Sequence, residues 1–456
     1  MPKNTILKNV FILGISGIIA KTFDFVLRAF YSRALGAEGT GLLSLGFSLH
    51  GVMLTFATAG LGVAVSKISS EYMETKNYAA VRNCMHCALF GVCTLSLILQ
   101  LVVFFGADAI AERALGDSRA APGLCALSPS VLFMGVSYCL KGYFYAARKT
   151  LPPASSELLE QCVKFVSIAL LLKILLPYGI EYGCIAVFGG ISIGEFSSCA
   201  YLCLFYLKEE YFLSKYKDKM AVCGREVAFK LLGISLPSMI TSLCCSTLRA
   251  SEEVLIVAAL KRGRMEHSAA LGTLGILRGM AMPLLVLPLN LAGSVMSLLV
   301  PEISRAGVGG RERLKNTAAR VYKAALIFGA MSAAVFICFG NEITTAFYGT
   351  NSAAGLVVLL APLCPVMFAD SVSCSMLNGM GKQLRLLVIT LMDFAVRFTI
   401  IYFFLPIGRE SAFAAMTAIS NIFTCVLTCL SVVSVIRPFE KSLKLTKHIK
   451  CGIVNK

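Results

Sequence analysis

Hydrophobic residues along this chain come in long continuous runs. Stretches of roughly twenty apolar residues recur from end to end, the length a helix needs to cross a bilayer. They fall near 6–32, 40–66, 79–106, 121–146, 155–176 and 183–207, and then near 226–250, 267–300, 317–341, 352–378, 384–405 and 410–436. Hydrocarbon offers a backbone amide no partner, so each run predicts a helix that pairs its own amides. A β-barrel does not fit, because its strands alternate apolar and polar positions with period two. The expected fold is all-α and integral to the membrane, with about twelve transmembrane helices.

The order of the runs carries a second signal. VSKIS (Val65–Ser69) closes the second run and VPEIS (Val300–Ser304) closes the eighth. Lys141-Gly142-Tyr143 ends the fourth and Asn378-Gly379-Met380 ends the tenth. Glu160 and Lys164 in the fifth run match Asp393 and Arg397 in the eleventh. The offset stays at roughly 235 residues, as a parallel six-helix repeat requires. The expectation is two pseudo-symmetric six-helix lobes around a central cavity. They are residues 1–210 and 226–440, joined by a basic linker at 211–225 and followed by a basic tail at 441–456.

Composition fits this reading. A chain of 456 residues that is 57% hydrophobic and 15% charged, with mean hydropathy +0.78, has more apolar surface than one aqueous core can hide. The net charge of +17 does not indicate nucleic acid, because the basic residues gather in alternate gaps between runs. The largest basic segments are Lys208–Arg225, Arg305–Arg320 and Arg437–Lys456. Positive charge marks the cytoplasmic side, so both termini are expected in the cytoplasm. Most of the 18 cysteines sit inside apolar runs as small hydrophobes, among them Cys93, Cys139, Cys203, Cys338 and Cys425. Cys84–Cys87 is a single CxxC without a second pair, so neither a metal nor another cofactor is expected. No GxxxxGK[ST] loop is present, which excludes a P-loop ATPase. The first run carries charges and no small-residue cleavage site, unlike a signal peptide.

Charges at membrane depth are costly, and function is the first hypothesis for them. Gly14, Gly17, Lys21, Asp24 and Arg28 recur at spacings of 3 and 4, which puts them on one face of the first helix. Ser235, Ser238, Ser242, Ser246, Arg249 and Glu253 do the same on the seventh, with Pro237 near its start. Both stripes end in an i,i+4 pair of opposite charge, Asp24/Arg28 and Arg249/Glu253. Arg278 lies on a segment loosened by Gly272, Gly275, Gly279, Pro283 and Pro288, and interrupted helices line cavities. The candidate substrate cavity therefore holds Lys21, Asp24, Arg28, Arg249, Glu253 and Arg278. Its net positive lining suits a phosphate-bearing anion, since Arg grips phosphate with a planar fork and Lys as a point charge. The alternative is that these charges pair across helices and hold the bundle together, or that Lys21 snorkels to an interface. Glu160/Lys164 and Asp393/Arg397 are expected as structural ion pairs. Glu157 sits close to the helix start after Pro152-Pro153, where an acid favours the dipole. Glu195 and Asp370 stand as isolated acids, each a carrier for a coupling proton or simply a buried neutral acid.

Several segments also resemble a known family. RAFYSRALGAEGTG (Arg28–Gly41) is similar to the end of the first helix of polysaccharide-type flippases in the MOP (MATE-like) superfamily, and most of all to the stage V sporulation protein B-like group. GLGVAVSKISSEY (Gly60–Tyr72), LKGYFYAARKTLPPASSELLEQCVKF (Leu140–Phe165), LVPEIS (Leu299–Ser304) and LNGMGK (Leu377–Lys382) extend the likeness over the whole chain. The resemblance implies two lobes working by alternating access, without ATP hydrolysis, on an undecaprenyl pyrophosphate-linked oligosaccharide or a peptidoglycan precursor. It implies that Arg28 is a cavity residue, with Arg249 and Arg278 as counterparts. The chain departs from the family in having Lys164 where Arg is frequent, and about twelve helices where many relatives have fourteen.

The expected partners are thus a lipid-linked anionic sugar, membrane lipids and a coupling proton or sodium ion, with the protein a monomer. An interior-negative potential assists outward movement of an anion by about 2.3 kcal/mol per charge per 100 mV. Two alternatives stay open. One is a MATE-like multidrug or cation antiporter, and the other an integral membrane glycan-processing enzyme. The longest gaps are short and basic, which leaves little room for an enzyme's carboxylate-bearing domain.

Overall fold

Gly36 makes the first corner. The computed structural model describes residues 3–58, 60–213, 224–296, 311–380 and 382–436. In it the first two apolar runs form one rod, α1 (Lys3–Thr58), interrupted at Gly36 with φ 67° and ψ −170°. A residue with a Cβ is strained there, so glycine lets the chain turn without a loop. Gly60, with φ 69°, ends the rod and starts α2 (Leu61–Glu74). α3 (Tyr78–Ile110) begins at Asn77, whose side chain accepts a hydrogen bond from the Ala80 amide at 3.1 Å. α4 (Ala121–Ala146), α5 (Leu151–Leu175), α6 (Ile180–Leu213) and α7 (Gly224–Arg262) follow. Pro152 and Pro153 open α5 from its first turn, where their missing amides cost nothing.

The glycine-rich eighth run is broken as expected. α8 (His267–Leu274) gives way to a π-helical turn over Gly275–Ala281 before α9 (Met282–Met296). The remaining helices are α10 (Arg311–Tyr348), α11 (Ala354–Leu360), α12 (Cys364–Gly379), α13 (Gln383–Phe403) and α14 (Leu405–Ile436). Among the described residues ten stretches are long and apolar enough to span a membrane. The first, Ile12–Glu74, contains the Gly36 corner and so makes two crossings. The 25-residue α5 is a further helix of spanning length whose charges lower its hydropathy. About twelve crossings result. Phe90, Phe105, Leu204 and Ile407 are 75, 82, 68 and 85% exposed; such residues need lipid, not water, around them. The protein is a multi-pass membrane protein.

The chain divides between Met280 and Ala281 into two compact units. In the first, α4 packs on α2, α3 and α6, while α5 pairs with α6 and α1. Its core includes Val65, Ile68, Met85, Cys139, Tyr143 and Phe144. Cys84 and Cys139 are fully buried in it as small apolar residues. α7 and α8 also pack on α1. A Cβ on Gly41 would stand 2.0 Å from the Leu271 carbonyl oxygen, and one on Gly275 2.0 Å from that of Ala37. These two glycines therefore bring backbone against backbone, the small-residue contact that membrane helices favour. In the second unit α10, α12 and α14 pack around Phe368, Met376, Leu377 and Val432. The Val300–Ser304 repeat element, most of the basic linker and the tail from Arg437 lie outside the described residues.

Candidate functional site

The stripe on α1 keeps its expected pair. Arg28 Nε donates to Asp24 Oδ2 at 3.0 Å, with the two side chains 43 and 50% exposed. The Arg28 guanidinium also stands 6.0 Å from the centroid of the Phe47 ring, beyond the Gly36 corner. Lys21 is exposed one turn before Asp24.

The stripe on α7 divides. Ser238 and Ser242 line a cavity, and Ser246 Oγ lies 2.8 Å from Thr55 Oγ1 of α1. The Arg249/Glu253 pair expected from i,i+4 spacing does not form. Arg249 is exposed, with no ion-pair partner among the described residues, while Glu253 turns to Arg278, 3.3 Å from its Nε. Arg278 also binds Glu252 through Nη2. The reason is burial: Arg278 is only 18% exposed and needs a counter-charge within the protein, whereas Arg249 does not. The π-helical turn carries Arg278 to the two acids. Glu252, 2% exposed, was not distinguishable from Glu253 in the sequence.

The α5 pair gains a third member. Lys164 Nζ is 2.7 Å from Glu160 Oε1 and 2.5 Å from Glu195 Oε1 of α6. Glu195 is therefore not isolated. Lys141 of α4 takes Glu157 at 3.2 Å, so Glu157 has a partner beyond the helix dipole. Glu160, Glu195 and Lys141 line a cavity of about 360 Å³ together with Thr55, Thr58, Ser137, Tyr138, Ser238 and Ser242. This cavity lies inside the first unit and is rich in hydroxyls. The second unit holds the matching pair, Arg397 Nε to Asp393 Oδ2 at 2.8 Å, with Ser420 donating to Asp393 Oδ1. Asp370 accepts from Thr428 Oγ1 at 2.8 Å, so it too has a partner.

One cluster had no sequence signal, because its members come from three separate gaps between runs. Asp117 Oδ2 receives Arg119 Nη2 and His267 Nε2, each at 2.9 Å, and Arg119 Nη1 reaches Glu38 at 2.8 Å. Burial pushes the Asp117 carboxyl up. The hydrogen bonds from Arg119 and His267 outweigh it and hold the group below the usual aspartate range.

A family model described as polysaccharide biosynthesis protein matches residues 6–307. Stage V sporulation protein B of Bacillus subtilis (strain 168) is 30% identical over 371 residues, covering 79% of this chain and 70% of that protein. Lipid II flippase MurJ of the same organism is 22% identical over 404 residues, covering 83% of this chain and 73% of that one. Among solved structures, an inward-facing multidrug resistance transporter of the MATE family, MOP superfamily, superposes with TM-score 0.72 at 15% identity, over 94% of this chain and 99% of that chain. A MOP superfamily transporter from Pyrococcus furiosus gives TM-score 0.68 at 14% identity, over 96 and 99%. These two likenesses are of fold.

Proposed function

The chain belongs to the polysaccharide biosynthesis protein family, in the MOP superfamily of transporters and flippases, and on that basis we propose that it flips a lipid-linked anionic glycan across the bacterial cytoplasmic membrane. The substrate class is an undecaprenyl pyrophosphate-linked oligosaccharide or peptidoglycan precursor, moved by alternating access without ATP hydrolysis. Both termini face the cytoplasm in this reading, and the protein acts as a monomer.

The observation that carries it is the exposed cationic charge on spanning helices. Lys21, Arg28 and Arg249 are exposed or half-exposed, and Asp24 is the one acid in their two stripes that is half-exposed beside them. Cations at such positions suit a phosphate group, through the guanidinium fork and the ammonium point charge. Arg278 contributes differently: Glu252 and Glu253 neutralise it, so it fixes α7 against the π-helical turn and leaves the anion to Lys21, Arg28 and Arg249.

The test is transport by reconstituted protein in liposomes containing a fluorescent undecaprenyl pyrophosphate-linked precursor. Arg28→Ala and Arg249→Ala are each expected to lose most of the rate while still inserting and folding. Lysine at either site should restore part of it, because the charge returns without the fork. Full activity in both alanine variants would show these residues to be structural.

A further inference from the structure

Lys164 stands between two carboxylates. Its Nζ lies 2.7 Å from Glu160 Oε1 and 2.5 Å from Glu195 Oε1, and the three side chains are 12, 11 and 4% exposed. Two negative charges thus share one positive charge. Among the described residues the neighbouring helices do not supply the missing one. α4 offers Lys141, which Glu157 of α5 already engages at 3.2 Å. α1 offers His50, which also feels Lys164, with Nε2 tied to Ser130 Oγ at 2.8 Å. α7 brings only the hydroxyls of Ser238 and Ser242 to the shared cavity. One excess negative charge is left at membrane depth, where a bare charge is costly.

The cavity of about 360 Å³ reaches both acids. Ser137, also on its wall, is 3% exposed. A metal cation fits poorly, because Lys164 occupies the point between the carboxylates and repels a second positive centre. A proton fits well, since it forms an O–H bond on one carboxyl group and removes the excess charge without needing space. The matching position in the second unit is the internal contrast: Asp393 pairs with Arg397 and accepts from the neutral Ser420, while the nearby acid Asp370 accepts from Thr428 Oγ1.

We propose that the Glu160–Lys164–Glu195 cluster is a proton-binding site that exchanges one proton with water in the cavity. The proton comes from hydronium. It sits on Glu160 or Glu195, while Lys164 remains an ammonium ion paired with the other carboxylate. The site rests on the transport reading in that proton uptake there changes the charge the first unit carries during turnover.

Dicyclohexylcarbodiimide, which reacts with protonated carboxyl groups in apolar surroundings, tests this on the full chain in liposomes, with adducts located by peptide mass spectrometry. The expected result is labelling of Glu160 or Glu195 that falls several-fold between about pH 6 and about pH 9, with Asp393 unlabelled. Glu195→Gln balances the cluster and should abolish labelling of Glu160, whereas Ser420→Ala should leave the wild-type pattern. No pH-dependent adduct at either glutamate, or equal labelling of Asp393, overturns the proposal. The labelling needs no substrate and no variant. Its failure alongside intact precursor transport therefore removes the proton site alone, and its success without transport removes the flippase alone.

Discussion

Two ion pairs stand at matching positions of the chain and are completed in opposite ways. Glu160/Lys164 and Asp393/Arg397 are both i,i+4 pairs, roughly 235 residues apart in the sequence. The first receives a second acid, Glu195, and the second receives a hydroxyl, Ser420. In the first cluster two carboxylates share one ammonium group beside a cavity; in the second one carboxylate takes a guanidinium and a hydroxyl. The same i,i+4 motif therefore meets a second carboxylate in one unit and a hydroxyl in the other. What decides is the partner brought by the neighbouring helix.

Removing the cation should separate the two halves most strongly. Lys164→Ala leaves two carboxylates buried together and is expected to cost about 3–5 kcal/mol. Arg397→Ala leaves a single buried carboxylate, Asp393, with the Ser420 hydroxyl, for a loss at the lower end of that range, about 3 kcal/mol. Thermal unfolding of the purified proteins measures both. Equal losses would mean that the extra acid makes no difference.

Exchanging the third partner is a finer probe. Glu195→Gln should keep the fold and remove the response of transport to an imposed pH gradient. Ser420→Ala should cost about 1 kcal/mol and leave that response intact. If Ser420→Ala alters the gradient response as much as Glu195→Gln does, the two halves are not distinguished by charge.

The smallest effect belongs to a balanced cluster in the loops. Asp117 has a lowered folded-state value, so the stability it contributes is fully present above the ordinary aspartate value of 3.8 and is lost as pH falls through the folded one. Acid unfolding should contain a component below about pH 4 that Asp117→Asn lacks. A component lost instead near neutral pH would contradict the assignment to Asp117.

How far these clusters were legible follows from the geometry of each. The spans, the Asp24/Arg28 pair and the Glu160/Lys164 and Asp393/Arg397 pairs could be read because apolar length and i,i+4 spacing are local properties. The interruption of the eighth run was visible in its glycines and prolines. Its consequence was not: a π-helical turn over Gly275–Ala281 delivers Arg278 to Glu252 and Glu253 and leaves Arg249 without an ion-pair partner among the described residues. Glu195 looked solitary because its partner lies on another helix 31 residues earlier. Asp117, Arg119, Glu38 and His267 meet only after α1, the α3–α4 connection and the start of α8 converge, and no spacing rule joins them. Gly36 was hidden for a different reason: a single glycine turns α1 where the pattern suggested a short polar gap.

Reconstituted wild-type protein, given a fluorescent undecaprenyl pyrophosphate-linked precursor in one set of liposomes and an organic cation in another, tests the central claim most directly. The account predicts that the precursor's headgroup crosses the bilayer at a rate set by the protein, faster with an interior-negative potential driving the anion outward, and that the cation is not carried. Export of the cation in exchange for protons or sodium, with the precursor left in its original leaflet, would contradict it.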